Sequence, residues 1–322
     1  MKKIIYILIC LLVFGLMSAC ATDNSTDAAV KETTGSGEAS SVSEEEPTQG
    51  SAFVEDGLVS VWIANTKEIN GRLFKLNYGE DYMVVDEVYR KDGEERCYTY
   101  QCNEQGRITN IVGSGDITRN QICAYDDASR LICFEDYDSD GELNEKHVYS
   151  YDEQGRLTEH INYWHNNGKI KVDWRRVYRY DEIGNLVELL EYATDDESDL
   201  ERRCTYTYNA EGQCVSCRQE MKDAQYSTEH VYTYDHRGNL KSEVAKYIAN
   251  GTVCYNWEWS VIVDENGNTT QVFGGRTSKL LRYTYTEIRV EPELVEKIQR
   301  NQENVLATDW AMTSNYEIKK PV

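Results

Sequence analysis

The one sustained hydrophobic run in this chain, Ile4 to Met17, has 14 residues, short of the roughly 20 that a helix needs to cross a bilayer. The chain also lacks a basic footprint. Its 34 Lys and Arg stand against 56 Asp and Glu, for a formal net charge of −22, which argues against nucleic acid or an anionic surface as the main partner. Neither a Gly-x-Ser-x-Gly elbow nor a Walker loop occurs. None of the five histidines, His147, His160, His165, His230 and His236, stands at the i, i+4 spacing of a helical zinc motif. The carboxylates are too numerous for the sequence to single out a glycosidase pair. These absences favour a non-catalytic protein. The rival from another class is a hydrolase of cell-wall polymers, which would need two carboxylates converging away from the turns.

At the N-terminus Lys2 and Lys3 precede the apolar run, and the small residues Ser18 and Ala19 precede Cys20. The order is that of a secretory signal. Leu16-Met-Ser-Ala-Cys20 resembles the lipobox of bacterial lipoproteins, with Met17 where Leu, Val or Ile is usual. The resemblance implies cleavage before Cys20, diacylglycerol on its thiol and a membrane-lipid anchor facing away from the cytoplasm, firm because it carries more than one acyl chain. Residues 1–19 are then the signal peptide. Residues 20–52 are rich in Ser, Thr, Gly, Glu and Ala with no hydrophobic period, so they cannot bury enough to offset ordering and form a tether.

Removing Cys10 and lipidating Cys20 leaves eight of the ten cysteines. Export would allow them to pair, but most stand where a small buried hydrophobe would serve equally well. Cys214-Val-Ser-Cys217 has redox-like spacing, yet it falls in an expected strand rather than at a helix N-terminus, and it lacks a second pair for zinc.

Residues 53–290 are organised by a repeat. Tyr149-Ser-Tyr151-Asp152-Glu-Gln-Gly155-Arg-Leu157, Tyr178-Arg-Tyr180-Asp181-Glu-Ile-Gly184-Asn-Leu186 and Tyr232-Thr-Tyr234-Asp235-His-Arg-Gly238-Asn-Leu240 are its clearest copies. Others start at Tyr98 and Tyr206, and degenerate ones surround Asp126 and Asp264. The turn positions 106, 129, 155, 184, 212, 238 and 267 are 23 to 29 residues apart. Tyr-x-Tyr puts two rings on one face of a strand. Asp or Asn caps a turn, and Gly takes positive φ there. The chain returns through Leu157-x-x-x-Ile161 or Leu186-x-x-x-Leu190, read as one face. Steps such as Asp92-Gly93 and Asn250-Gly251 close each unit as a hairpin. The expectation is an all-β antiparallel meander of roughly fourteen to sixteen strands, curled because so wide a sheet does not stay flat. Residues 291–322 form a C-terminal cap or tail, with a short helix from Glu291 to Ala307, started by Pro292, that covers a sheet edge.

These units resemble the YD repeats of Rhs and wall-associated proteins, over roughly Tyr98 to Thr286. The resemblance implies a curled sheet of hairpins, exposure at the cell surface and, in some members, carbohydrate binding. The array is short and irregularly spaced, and nothing after Glu291 looks like a self-cleavage or toxin region, so a closed toxin-bearing shell is not expected.

Asp136-Tyr-Asp138-Ser-Asp140-Gly141 matches the start of an EF-hand loop, but His147 stands where the chelating Glu belongs and no helices flank it. A hairpin turn is the preferred reading, with Ca²⁺ on Asp136, Asp138 and Asp140 as the alternative. The 24 Tyr and 6 Trp are mostly architectural. Tyr163 and Trp164 fall outside the Tyr-x-Tyr register and are the candidate ligand contacts. The resulting picture is a surface-anchored repeat protein that contacts a glycan or cell-wall polymer, or alternatively another protein.

Overall fold

A computed structural model describes residues 57–310, apart from 92, 115–119, 167–168, 223–224 and 276–278. Cys20, the expected signal and tether, and residues 311–322 lie outside the described residues. The strands in chain order begin with β1 (Val59–Ile69), β2 (Arg72–Tyr78), β3 (Val84–Lys91), β4 (Glu94–Cys102), β5 (Ile108–Gly113) and β6 (Asn120–Tyr125). They continue with β7 (Leu131–Tyr137), β8 (Leu143–Tyr151), β9 (Leu157–Asn166), β10 (Lys169–Tyr180), β11 (Leu186–Tyr192) and β12 (Leu200–Tyr208). The last are β13 (Cys214–Met221), β14 (Tyr226–Tyr234), β15 (Leu240–Ala249), β16 (Thr252–Val263), β17 (Thr269–Gly274) and β18 (Lys279–Val290), followed by helix α1 (Pro292–Trp310).

Every strand pairs antiparallel with its chain neighbours, and β1 pairs with β18 from Val59↔Val290 to Ile69↔Leu281. The meander therefore closes into an 18-stranded barrel rather than stopping as a curled sheet. Eighteen strands form where fourteen to sixteen were expected over the same residues. The repeat turns, with the β2–β3 connection, lie at one end of the barrel, and the more varied turns lie at the other.

Each repeat turn is built identically. In the third unit Asp152 N–H donates to Arg156 O and Gly155 N–H to Asp152 O, while Asp152 Oδ1 accepts from the Gln154 and Arg156 amides. The turn demands positive φ at its fourth position. Gly155 supplies it at +82°, and Ser129 takes +59° in the degenerate copy.

A register shift follows every repeat turn, for instance between Ser150 and Tyr151 and between Thr207 and Tyr208. The extra residue sits just after the Leu position and reverses which face later residues occupy. Leu186 and Leu189 consequently share the buried face, at 8% and 1% exposure. Leu190, itself buried, pairs with Arg203 on the other face, which corrects the Leu186/Leu190 reading. The same shift puts Cys214 and Cys217 together in the buried cluster with Tyr178, Leu189, Cys204, Tyr206 and Tyr232. The face carrying the Tyr-x-Tyr rings is buried and forms the interior wall. The other face carries exposed Thr207 and Thr233 and ion pairs such as Arg179 and Arg203 on Glu188.

Between units the backbone ladder stops short of the repeat-turn end. The β9–β10 pairing ends at Glu159↔Val177, and the β11–β12 pairing ends at Glu188↔Thr205. The carbonyl left open there takes a tyrosine hydroxyl. Tyr125 donates to Ile108 O, Tyr151 to Leu131 O, Tyr180 to Leu157 O, Tyr208 to Leu186 O, Tyr234 to Cys214 O and Tyr285 to Thr269 O, at 2.7 to 2.8 Å. Burial pushes the Tyr234 hydroxyl up to about 12, so it remains a donor across the neutral range.

Ahead of Asn65, where its register with β18 shifts, the Val59–Ala64 part of β1 pairs with β18 alone. Helix α1 fills the gap. Ile298 is fully buried with Val61, Ile63, Met83 and Val290. Gln302 Oε1 accepts from Ala64 N–H and Asn301 Oδ1 from Val84 N–H, both at 2.9 Å. A closed ring has no edge to cover, so the helix instead satisfies backbone amides that the diverging strands leave open. At Gly106, where φ is +79°, an added Cβ would lie 2.7 Å from both Lys297 Cγ and Lys297 O.

Removing one hydroxyl, as in Tyr180→Phe, should leave the Leu157 carbonyl unpaired and cost about 1–2 kcal/mol, read as a shift of the urea midpoint at unchanged slope. Gly106→Ala should destabilise more than Gly212→Ala. Both meet the left-handed penalty of about 1–2 kcal/mol, but Gly212 has open space around it. Amide exchange in α1 should accelerate only in Gly106→Ala.

Candidate functional site

Counting back by twos from each Tyr-x-Tyr pair places a further side chain on the interior wall. On β8, β10 and β14 this residue is polar or charged, and on β12 Cys204 takes its place with Arg202 two residues further back. Proceeding from β8 to β14, the residues are His147 and Tyr149, Arg176 and Tyr178, Arg202 below Cys204 and Tyr206, and His230 and Tyr232. Cross-strand register links them: His160 faces Arg176, Arg176 faces Glu191, and Glu191 faces Arg202.

The middle of this belt is an ion-paired carboxylate. Glu191 Oε2 accepts from Arg176 Nε at 2.7 Å and from Arg202 at 2.6 Å. Burial pushes its carboxyl upward, but the Arg202 and Arg176 charges outweigh that and hold it below the usual carboxylate range. The Arg176 guanidinium also lies 4.1 Å from the Trp174 ring centroid. To one side, His147 Nδ1 and His160 Nε2 are 2.9 Å apart. His160 packs edge-on to Trp174 at 4.7 Å and stacks on Tyr149 at 4.2 Å. To the other side, buried His230 Nδ1 lies 2.7 Å from buried Glu243 Oε1.

Toward the end away from the repeat turns, the same wall becomes aromatic. Tyr247 and Tyr255 stack at 4.8 Å with 9° between ring planes. Tyr226 stacks on Tyr247 at 6.1 Å, and Trp257 lies 5.7 Å from Tyr255. Tyr226, Tyr255 and Trp257 are half-buried rather than closed off. At this rim a cleft of about 270 Å³ opens between β12, β13 and β14, lined by Arg202, Met221, Lys222 and Tyr226 and, from the outer face, by Arg203, Arg218 and Glu220.

The sequence candidates separate on this frame. Tyr163 and Trp164 are consecutive on β9, facing Lys146 and Glu145 of β8, so one strand presents them to opposite faces. Trp164 shares the wall with Asn162 and His160, while Tyr163 lies outside, and the two cannot line one site. Asp136 is buried and accepts from Gln121 Nε2 at 3.0 Å. Asp138 Oδ1 accepts from the Asp140 and Glu142 amides, which reproduces the repeat turn at the opposite end of the barrel. Among the described residues no group of three His, Cys, Asp or Glu side chains is placed to hold a metal ion. Cys214 and Cys217, with their thiols pushed up mainly by burial and by a Cys204 contact respectively, are poor nucleophiles as placed.

No family model matches the chain, and no curated protein matches it. Among solved structures it is similar to the crystal structure of TcdB2-TccC3-Cdc42 at 15% identity and a TM-score of 0.30, over 63% of this chain and 14% of that one. It is also similar to a porin-like protein from Bacteroides uniformis, at 11% identity and a TM-score of 0.37, over 73% of this chain and 99% of that one. A porin-like protein from Bacteroides vulgatus matches at 11% identity and a TM-score of 0.28, over 69% of this chain and 98% of that one. The topology rests on the strand pairing above and not on these remote likenesses.

Replacing Glu191 by Gln should leave two guanidiniums facing each other and cost about 2–3 kcal/mol at neutral pH. Because the folded carboxyl titrates below its unfolded value, its stabilisation is present above the ordinary carboxylate range and disappears as pH falls through the lowered value. Urea unfolding of the two proteins should therefore converge in acid.

Proposed function

We propose that this chain is a non-catalytic, surface-anchored binding protein that takes a sugar ring of a glycan or cell-wall polymer against the aromatic stretch of its interior wall. The observation that supports it best is the aromatic series at the rim away from the repeat turns, half-buried Tyr226, Tyr255 and Trp257 around buried Tyr247. Flat rings with neighbouring charged donors, here Arg202 and Lys222, suit a ligand with one apolar face and many hydroxyls. Three of the interior carboxylates, Glu87, Glu191 and Glu243, each lie within 2.8 Å of a lysine, arginine or histidine and act as ion-pair partners in this reading. The outer face carries Arg–Glu pairs together with exposed Val112, Val231 and Phe273. In this reading the barrel is a member of the YD-repeat type and stands outside the cytoplasmic membrane, held by lipid on Cys20. Contact with another protein through the outer face is the alternative.

A glycan and cell-wall polysaccharide array probed with the full chain in detergent, with and without Ca²⁺, tests the reading. Saturable binding is expected, about tenfold weaker in Trp257→Ala, as the loss of an aromatic contact worth up to ~1.5 kcal/mol implies, and unchanged in Tyr163→Ala. Dependence on Ca²⁺ would bring back the Asp136, Asp138 and Asp140 loop. Absence of binding to every glycan in both conditions would remove the carbohydrate reading and leave the protein-contact one.

A further inference from the structure

His147, His160 and Asn162 meet on the interior wall where β8 and β9 pair. Asn162 stands directly across from His147, and His160 directly across from Tyr149. The two imidazoles approach to 2.9 Å between His147 Nδ1 and His160 Nε2. On its other side His147 Nε2 faces Glu145 Oε2 at 3.7 Å. The partners assign the protons. A carboxylate facing Nε2 favours hydrogen there, so His147 Nδ1 is the acceptor and His160 Nε2–H donates to it. Asn162 is 6% exposed, and its Oδ1 is buried with no hydrogen-bond partner. A buried amide oxygen left open costs about 1–3 kcal/mol and calls for an explanation.

We propose that His147 Nδ1, His160 Nε2 and Asn162 Oδ1 form a site for a first-row divalent transition ion of the zinc class. Imidazole nitrogen suits these ions, and three protein ligands with an open fourth position is a familiar arrangement. Two imidazole nitrogens about 2.0–2.1 Å from a tetrahedral ion stand roughly 3.3 Å apart, so the pair need open by only a few tenths of an ångström. His147 already holds the tautomer a ligand needs, with Glu145 behind it in the place of an outer-shell carboxylate. His160 needs only to move its proton from Nε2 to Nδ1, and no net proton is released. Tyr149, Trp174 and Phe134 surround the histidines with rings and limit access of water. The site is independent of the glycan reading.

Cobalt(II) titration of the full chain in detergent, with its thiols kept reduced, tests the proposal. One ion per chain is expected, giving d–d bands without thiolate-to-cobalt charge transfer, and Zn²⁺ should displace it. His160→Gln should abolish this uptake, while Glu145→Gln should weaken it by roughly 10–100-fold, as loss of an outer-shell partner does. Each variant's metal-free thermal midpoint separates loss of the site from loss of the fold. Nitrogen NMR of the unaltered chain gives a second readout: Zn²⁺ should move His147 Nδ1 and His160 Nε2 together. No saturable uptake, a thiolate charge-transfer band, or uptake that survives in folded His160→Gln would overturn the proposal.

Discussion

The barrel depends on a recurrent bond, in which Tyr125, Tyr151, Tyr180, Tyr208, Tyr234 and Tyr285 each donate a hydroxyl to the first carbonyl of the preceding strand. Within a unit the backbone ladder runs up to the tight turn. Between units it stops early, because the returning strands diverge there. A buried carbonyl with no partner would be a liability in every unit. The tyrosine removes that liability and adds a ring to the wall in the same residue, which explains why Tyr rather than Phe occupies the position. In two units an arginine of the turn completes the arrangement, with Arg130 and Arg156 4.8 Å from the ring centroids of Tyr151 and Tyr180 while each binds the turn's own aspartate.

Much of this was legible in the residues. Tyr-x-Tyr-Asp marks a strand end and a capped turn by local chemistry alone, and Gly at the fourth turn position follows from its positive φ. The residue inserted after each Leu position was not legible, because a bulge adds no residue type of its own. Its effect is to move Leu189 inward and Leu190 outward, a reversal that counting by twos from Leu186 misses. Closure was also hidden. It depends on Val59–Ile69 meeting Lys279–Val290, and neither segment carries a mark that names the other. The terminal helix was expected from Pro292 and its apolar spacing, but its task could not be read, since that task is set by where β1 leaves β2.

The interior belt lies between these cases. His147, Arg176, Arg202 and His230 stand at intervals of two ahead of tyrosines already assigned to the wall, so their direction was available. Their partners were not. Glu191 lies beyond a bulge, and its place between two arginines emerges only from two adjacent registers. Trp164 was singled out as off-register, and it does face the interior. Its neighbour Tyr163 was singled out for the same reason and faces the other way, as neighbours on a strand must. The wall is therefore apolar and tyrosine-rich near the repeat turns, charged in the middle and aromatic toward the far rim. That gradient carries more functional information than any single motif in the chain.

The pairing of β1 with β18 gives the fold an uneven history. Seventeen of its strand contacts join neighbours in sequence, and each can form as soon as its hairpin exists, with little loop entropy to overcome. The remaining one joins residues more than 200 positions apart, as Ile69 with Leu281. During synthesis β1 must wait with one side bare until nearly the whole chain has emerged. Any chain interrupted before Lys279 would retain two bare edges, each a template for another molecule. Arrival of Lys279–Val290 thus acts as a checkpoint on solubility, because that strand ends the exposure of Val59–Ile69.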